Sequence, residues 1–299
     1  MTITHRHYKH PHDYKCISEF LIAQHLPGNA DGNWIEPAWE YMHSHPAFDS
    51  SLIDRIGIWE DDGKIAAVVH YEDRLGDAFL ELDPKYRRLI PEILAYAEEY
   101  LSAEENGTRF LRVYVNDNDP EFMEVVRARG YEKMSYNLRP MYRFDIPDPF
   151  PPIPVAEGFR VKSLADECDW GKVHRVMWRG FDHGDNPDCS PEELESRQRM
   201  FDTPTARRDL KMVVEAPDGE FVSFCGMFYE PYNHFAYVEP VATDPKYRRL
   251  GLGKAAVLEG IRRCGALGAT VAYVGSNQLF YQALGFYKVY DTECWRKDL

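Results

Sequence analysis

Residues 238–260 read VEPVATDPKYRRLGLGKAAVLEG, and residues 83–89 repeat seven of these positions as DPKYRRL. If unrelated positions match about one time in sixteen, a chance identity of this length has odds on the order of 10⁻⁴. The repeat therefore marks a duplication, from 83 to 244, an offset of 161 residues. Weaker echoes keep nearly the same spacing: Val113 to Val115 answers Ala272 to Val274, and Arg129-Gly130-Tyr131 answers Leu284-Gly285-Phe286. Between the copies runs IPDPFPPIPVAEG, residues 146–158. Its prolines forbid helix and remove the donors a sheet needs, so it reads as a stiff linker. The expected domains are 1–145, a linker over 146–157, and 158–299.

In the second copy, apolar runs predict strands over Leu210 to Ala216, Glu220 to Tyr229, Phe235 to Thr243 and Thr270 to Val274. The spacing Ala255, Leu258, Ile261 predicts a helix starting near Gly251 and stopping at Leu267-Gly268. A short helix fits Gln278 to Leu284, and Phe286 to Tyr290 and Glu293 to Arg296 read as two closing strands. This order gives an α+β class: two tandem domains, each a mixed, mostly antiparallel twisted sheet flanked by helices.

The opening stretch passes from strand to polar loop to glycine pair to helix start, a junction that binds anions. Gly251 and Gly253 let backbone N–H groups approach a ligand, and the first helical turn points its unpaired donors the same way. Lys246, Arg248, Arg249 and Lys254 add positive charge, so a pyrophosphate is the natural guest. A Walker A loop is excluded, because Ala255 follows Gly253-Lys254 where Ser or Thr is needed. The dinucleotide fingerprint matches only superficially, since DPKYRRL precedes it in place of a strand end and Gly275 follows Val274 in place of an acid.

Arg248-x-x-Gly251-x-Gly253, after a strand and opening a helix, resembles the acetyl-CoA pyrophosphate loop of GNAT acetyltransferases. The resemblance extends to the strand Val238 to Thr243, the downstream strand ending at Asn277, and Tyr281-x-x-Leu284-Gly285-Phe286. It implies that acetyl-CoA is a cosubstrate and that no metal takes part. It implies backbone contacts to pantetheine from Val241, Ala242 and Thr243, and a pyrophosphate cradle of Arg248, Arg249, Leu250, Gly251, Leu252, Gly253 and Lys254, with Asn277 assisting. Tyr281 stands where similar enzymes carry a phenol donor for the departing thiolate, and Glu239 is the strand carboxylate placed to accept the amine proton. Pro240, lacking an N–H, weakens strand pairing and helps the sheet open. In the first copy Ile90, Pro91 and Glu92 replace Gly251, Leu252 and Gly253, and Ala78 and Val126 fall at Glu239 and Tyr281, so that copy reads as a degenerate scaffold.

Composition bounds the partners. Lys plus Arg at 35 against Asp plus Glu at 49 leaves −14, which disfavours nucleic acid and anionic membranes. Residues 1–145 hold 16 basic and 26 acidic residues, most of that imbalance, which favours a cationic acceptor. The start MTITHRHYKH has no apolar signal core, so the expected location is the cytoplasm. His5, His7, His10 and His12 suit a first strand and the turn after it better than a metal site. The six cysteines stand far apart and read as reduced, mostly buried thiols. Trp34, Trp39, Tyr41 and His43, with the loop Phe181 to Asp185, are candidates to line the acceptor pocket or simply to pack. The expected protein is an N-acetyltransferase moving acetyl from acetyl-CoA to a primary amine of a small molecule or peptide, by direct attack in a ternary complex. A monomer is expected to hold an intramolecular pseudo-dimer, with a homodimer left open. A non-catalytic acyl-CoA-binding or interaction module, and an enzyme using a longer acyl-CoA, remain alternatives.

Overall fold

The computed structural model describes residues 3–136 and 138–299. The first elements are β1 (Ile3–His7), α1 (His12–Gln24), α2 (Glu36–Ser44), β2 (Gly57–Asp61), β3 (Lys64–His70), β4 (Asp77–Leu82), α3 (Ile90–Tyr100), β5 (Ala103–Glu105), β6 (Thr108–Asn116), α4 (Pro120–Ala128) and β7 (Glu132–Lys133). Next come β8 (Arg139–Asp145), β9 (Arg160–Ser163), α5 (Trp170–Gly180), α6 (Pro191–Arg199), β10 (Lys211–Glu215), β11 (Phe221–Glu230) and β12 (Phe235–Thr243). The last are α7 (Leu252–Ala266), β13 (Val271–Val274), α8 (Leu279–Leu284) and β14 (Tyr287–Asp298). Residues 146–158 carry neither helix nor strand, as the prolines require.

The chain forms two compact units, Met1–Met141 with Lys288–Leu299, and Tyr142–Tyr287. The partition differs from the cuts expected at 145 and 158, because two strands are exchanged. Residues 142–145 of β8 pair with β13 in the second unit, and Thr292 to Asp298 of β14 pair with Asn116 to Phe110 of β6 in the first. Long-range pairing of this kind leaves no local signature, and β14 is one continuous strand where two short ones were expected.

In the first unit β1, β2, β3, β4, β6 and β14 lie in that order; in the second the order is β8, β13, β12, β11, β10, β9. Pairing is antiparallel throughout both paths except at β4–β6 and β12–β13, which are parallel. The repeated heptapeptide folds alike in both units for a local reason. The carboxylates of Asp83 and Asp244 accept the N–H of Lys85 (3.0 Å) and Lys246 (2.9 Å), and the following proline starts a short 3₁₀ turn.

The second unit's core sets Leu252, Ala256, Val257, Ile261 and Cys264 of α7 against Met212, Cys225, Met227, Ala236, Val238 and Ala272 of the sheet. Gly260 permits this approach, since a Cβ there would lie 2.5 Å from Met227 Cγ. The first unit repeats the arrangement with Ile93, Leu94 and Ala97 of α3. Cys225, Cys264 and Cys294 are buried, whereas Cys168 and Cys189 are exposed. Among the described residues, no helix is long and apolar enough to cross a membrane.

Candidate functional site

The site in the second unit begins with a strand that loses its neighbour. β12 pairs with β13 only over Phe235 to Tyr237, so among the described residues its edge from Val238 to Thr243 has no ladder partner on that side. On the other side the register with β11 shifts between Cys225 and Met227, where Glu239 and Pro240 together face Gly226. This is a β-bulge, and it re-aims the strand where Pro240 supplies no donor. Gly226 is required there: a Cβ would lie 2.3 Å from the Glu239 carbonyl oxygen.

After the strand, Arg249 (φ 70°) and Gly251 (φ 79°) both adopt the left-handed conformation. Two such residues in a tight loop turn backbone N–H groups toward one concavity. α7 then starts with Gly251 as its N-cap and no side chain capping the first turn, which leaves the N–H groups of residues 252–254 without intrahelical partners. Gly253 keeps this turn against the strand, since a Cβ would lie 2.9 Å from Thr243 Oγ1. Among the described residues, Arg249 and Lys254 are exposed and no ion pair is recorded for either.

These elements border a cleft of about 710 Å³, lined by Gly180 to Asp182, Val241, Thr243, Tyr247 to Arg249, Gly251 to Lys254, Gln278, Phe280, Tyr281, Ala283 and Leu284. Most of the expected site residues are therefore brought together. Ala242 turns to the opposite face, where Gly180 of α5 packs on it, and Leu250 points outward, half exposed. Asn277 is exposed beside the cleft and its carbonyl accepts from Gln282 Nε2 at 3.1 Å. Glu239 is half-buried at the bulge. Tyr281 is 6 % exposed, and burial first, with Cys225 and the Glu239 carboxylate as neighbours, pushes its phenol well above the usual range. Burial likewise raises the Cys225 thiol, so it stays protonated and is no nucleophile.

Phe181 and Asp182, expected as acceptor-side candidates, line this cofactor-sized cleft. Tyr247, Gln278, Phe280, Ala283 and Leu284 line it too; none was expected as a site residue, although Leu284 stood in the quoted motif and the helical offset from Tyr281 was the signal that could have found Gln278 and Leu284. Trp39 is fully buried in the first unit, in edge-on contact with His43 and His70, which accounts for it by packing. His12, Asp13 and Cys16 lie close enough to share an ion, but both oxygens of Asp13 already accept from Arg6.

The first unit has the same splay, with β4 pairing β6 only at Asp77 and Ala78. Its β3–β4 ladder runs from Ala67 to His70 without a bulge, so the offset of 161 holds only beyond Pro240. The opened edge is filled from within. Asn33 Oδ1 accepts the Leu82 N–H at 2.7 Å and its Nδ2 donates to the Leu82 carbonyl at 3.1 Å, on the residue matching Thr243. Arg87, matching Arg248, is paired with Asp119 (2.5 Å) and Glu121 (2.8 Å). Ile90 is right-handed (φ −49°), so the amide concavity is absent, and Glu92 accepts from Trp59 Nε1 at 2.7 Å. The remaining cleft measures about 380 Å³.

Residues 170–289 match the Acetyltransferase (GNAT) family. No curated protein matches the sequence. Among solved structures, a GCN5-related N-acetyltransferase from Sphaerobacter thermophilus superposes with a TM-score of 0.65 at 14% identity, over 99% of this chain and 95% of that one. A tandem GNAT protein from the clavulanic acid biosynthesis pathway gives 0.65 at 14%, over 99% and 98%. A GNAT-family acetyltransferase from Colwellia psychrerythraea gives 0.58 at 10%, over 99% of each chain. At these identities the likeness is one of fold, and it spans both units.

Proposed function

We propose, from the premise that residues 170–289 form a GNAT acetyltransferase domain in a chain of tandem GNAT fold, that the second unit transfers acetyl from acetyl-CoA to a primary amine. The observation that carries this reading is the junction of an unpaired strand edge, an uncapped helix start and a protonated tyrosine in one cleft. The N–H and C=O groups of Val241 and Thr243 would pair with the amides of pantetheine, as a neighbouring strand would. The amides from Arg249 to Lys254, with the side chains of Arg249 and Lys254, would hold the pyrophosphate.

Glu239 is the proton acceptor. An alkylamine of pKa near 10.4 is only about 0.04% neutral at pH 7, so attack needs a base, directly or through one water. As the N–C bond forms, Glu239 removes the amine proton; as the C–S bond breaks, Tyr281 gives its proton to the thiolate. Burial and the nearby Glu239 charge keep that phenol protonated until then. Asn33 in the first unit occupies the edge that pantetheine would need, so that unit is a scaffold and each chain takes one CoA.

The test is thiol release from acetyl-CoA over a panel of amines, with calorimetry for stoichiometry. Gly253→Glu should abolish CoA binding by placing a carboxylate at the phosphates. Tyr281→Phe should lower kcat by about 10²-fold to 10⁴-fold with CoA affinity kept, and Glu239→Gln should remove the acidic limb of the pH–rate profile. Wild-type turnover in both catalytic variants, or two CoA per chain, overturns the reading.

A further inference from the structure

The four cations in and beside the cradle are not equivalent; Arg248, Arg249 and Lys254 line the cleft, and Lys246 stands just outside its lining. Arg249 and Lys254 have no recorded ion pair among the described residues, whereas Arg248 and Lys246 already hold anions from the chain itself. Arg248 Nη2 lies 3.0 Å from Asp182 Oδ1, and the same guanidinium donates to the carbonyls of Gly180 (3.0 Å) and Thr243 (3.3 Å). Lys246 Nζ lies 3.5 Å from Asp185 Oδ1. Asp182 itself lines the cleft. The loop bearing both carboxylates is bent for this approach, with left-handed residues at Asp182 (φ 60°) and Gly184 (φ 106°).

We propose that Asp182 and Asp185 are internal anions that determine cofactor affinity by occupying the cations that CoA phosphates compete for. This rests on the reading of the cleft as a CoA site. A carboxylate at a phosphate cradle opposes the ligand twice: it neutralises a cation beforehand, and it repels the incoming dianion afterwards. The side chains are exposed, 69% for Asp182 and 74% for Asp185, so exchange costs little and each pair is weak. Binding of the cofactor then unfastens residues 182–185 from the cradle, while Arg179 Nε still holds the Asp185 carbonyl at 3.0 Å.

The sign of one measurement separates this from simple bracing. If the two ion pairs merely buttress the cleft, breaking them weakens CoA binding. If they are competitors, breaking them tightens it. Calorimetric titration of the full chain with CoA near 50 mM salt, in wild type, Asp182→Asn, Asp185→Asn and the double variant, should show the double variant binding about three- to tenfold tighter, with a shallower salt dependence of the gain at high salt. Limited proteolysis gives an independent readout: CoA should increase cleavage within residues 181–186 of the wild type and change it little in the double variant. Unchanged or weaker CoA binding in the double variant, or protection of this loop by CoA, overturns the proposal. Absence of CoA binding by the wild type would instead overturn the reading of the cleft.

Discussion

Gly226→Ala probes the bulge directly. The added Cβ would stand 2.3 Å from the Glu239 carbonyl oxygen, 2.9 Å from Pro240 Cδ and 3.0 Å from the Glu239 carbonyl carbon. The shortest of these is about 1 Å inside ordinary contact, and the obstacle is mostly backbone, which no rotamer change relieves. Overpacking of this kind costs about 1–3 kcal/mol, and a backbone obstacle sets the expectation at the upper end. For a unit of this size, about 3 kcal/mol corresponds to a fall in Tm of roughly 6–12 °C. The strand must also yield at the carboxylate-bearing residue, so kcat should fall by about 10²-fold, the effect of a 1 Å misplacement. The contacts proposed for CoA begin two residues further on, at Val241, so CoA affinity should change less than tenfold. Scanning calorimetry with steady-state kinetics and a CoA titration measures all three. A variant that melts within 1 °C of wild type, with unchanged turnover, would refute both the packing argument and the placement of Glu239.

Two further outcomes follow from the exchanged strands and the filled edge. Asn33→Ala strands the buried N–H and C=O of Leu82 and should cost about 2–4 kcal/mol in denaturant unfolding, without creating a second CoA site; a second site in calorimetry would show that Asn33 alone closes that cleft. Deleting residues 288–299 removes the partner of β6 and the buried Cys294 and Trp295, so the truncated chain should expose apolar surface to a hydrophobic dye, whereas residues 142–287 alone should melt cooperatively.

The duplication was legible because DPKYRRL is a local device: Asp83 and Asp244 cap the same turn, and the need for that turn kept the residues recognisable. Gly251 and Gly253 were legible because positive φ and close helix approach each demand glycine. The bulge left a trace in Gly226, a glycine inside an otherwise bulky strand, which strand patterning alone passes over. Nothing local predicts that Asn33 bonds Leu82, or that Tyr142 to Asp145 pair with β13, because those partners lie 49 residues or more away in sequence. Asp182 was visible as part of a polar loop, but its place in the cleft depends on the reach of Arg248.

The exchange of β8 and β14 also sets an order on birth. The second unit is one uninterrupted stretch, Tyr142–Tyr287, while the first cannot acquire Lys288–Leu299 until that whole stretch has been made. At about 5–20 residues per second, a ribosome needs roughly 7–30 s to cross it. During that interval the earlier-made unit waits with β6 lacking its neighbour, an open edge of the kind that invites mispairing. The half synthesised later is thus the half able to close first, and slow or stalled translation between residues 142 and 287 should burden the N-terminal unit with aggregation while sparing the C-terminal one.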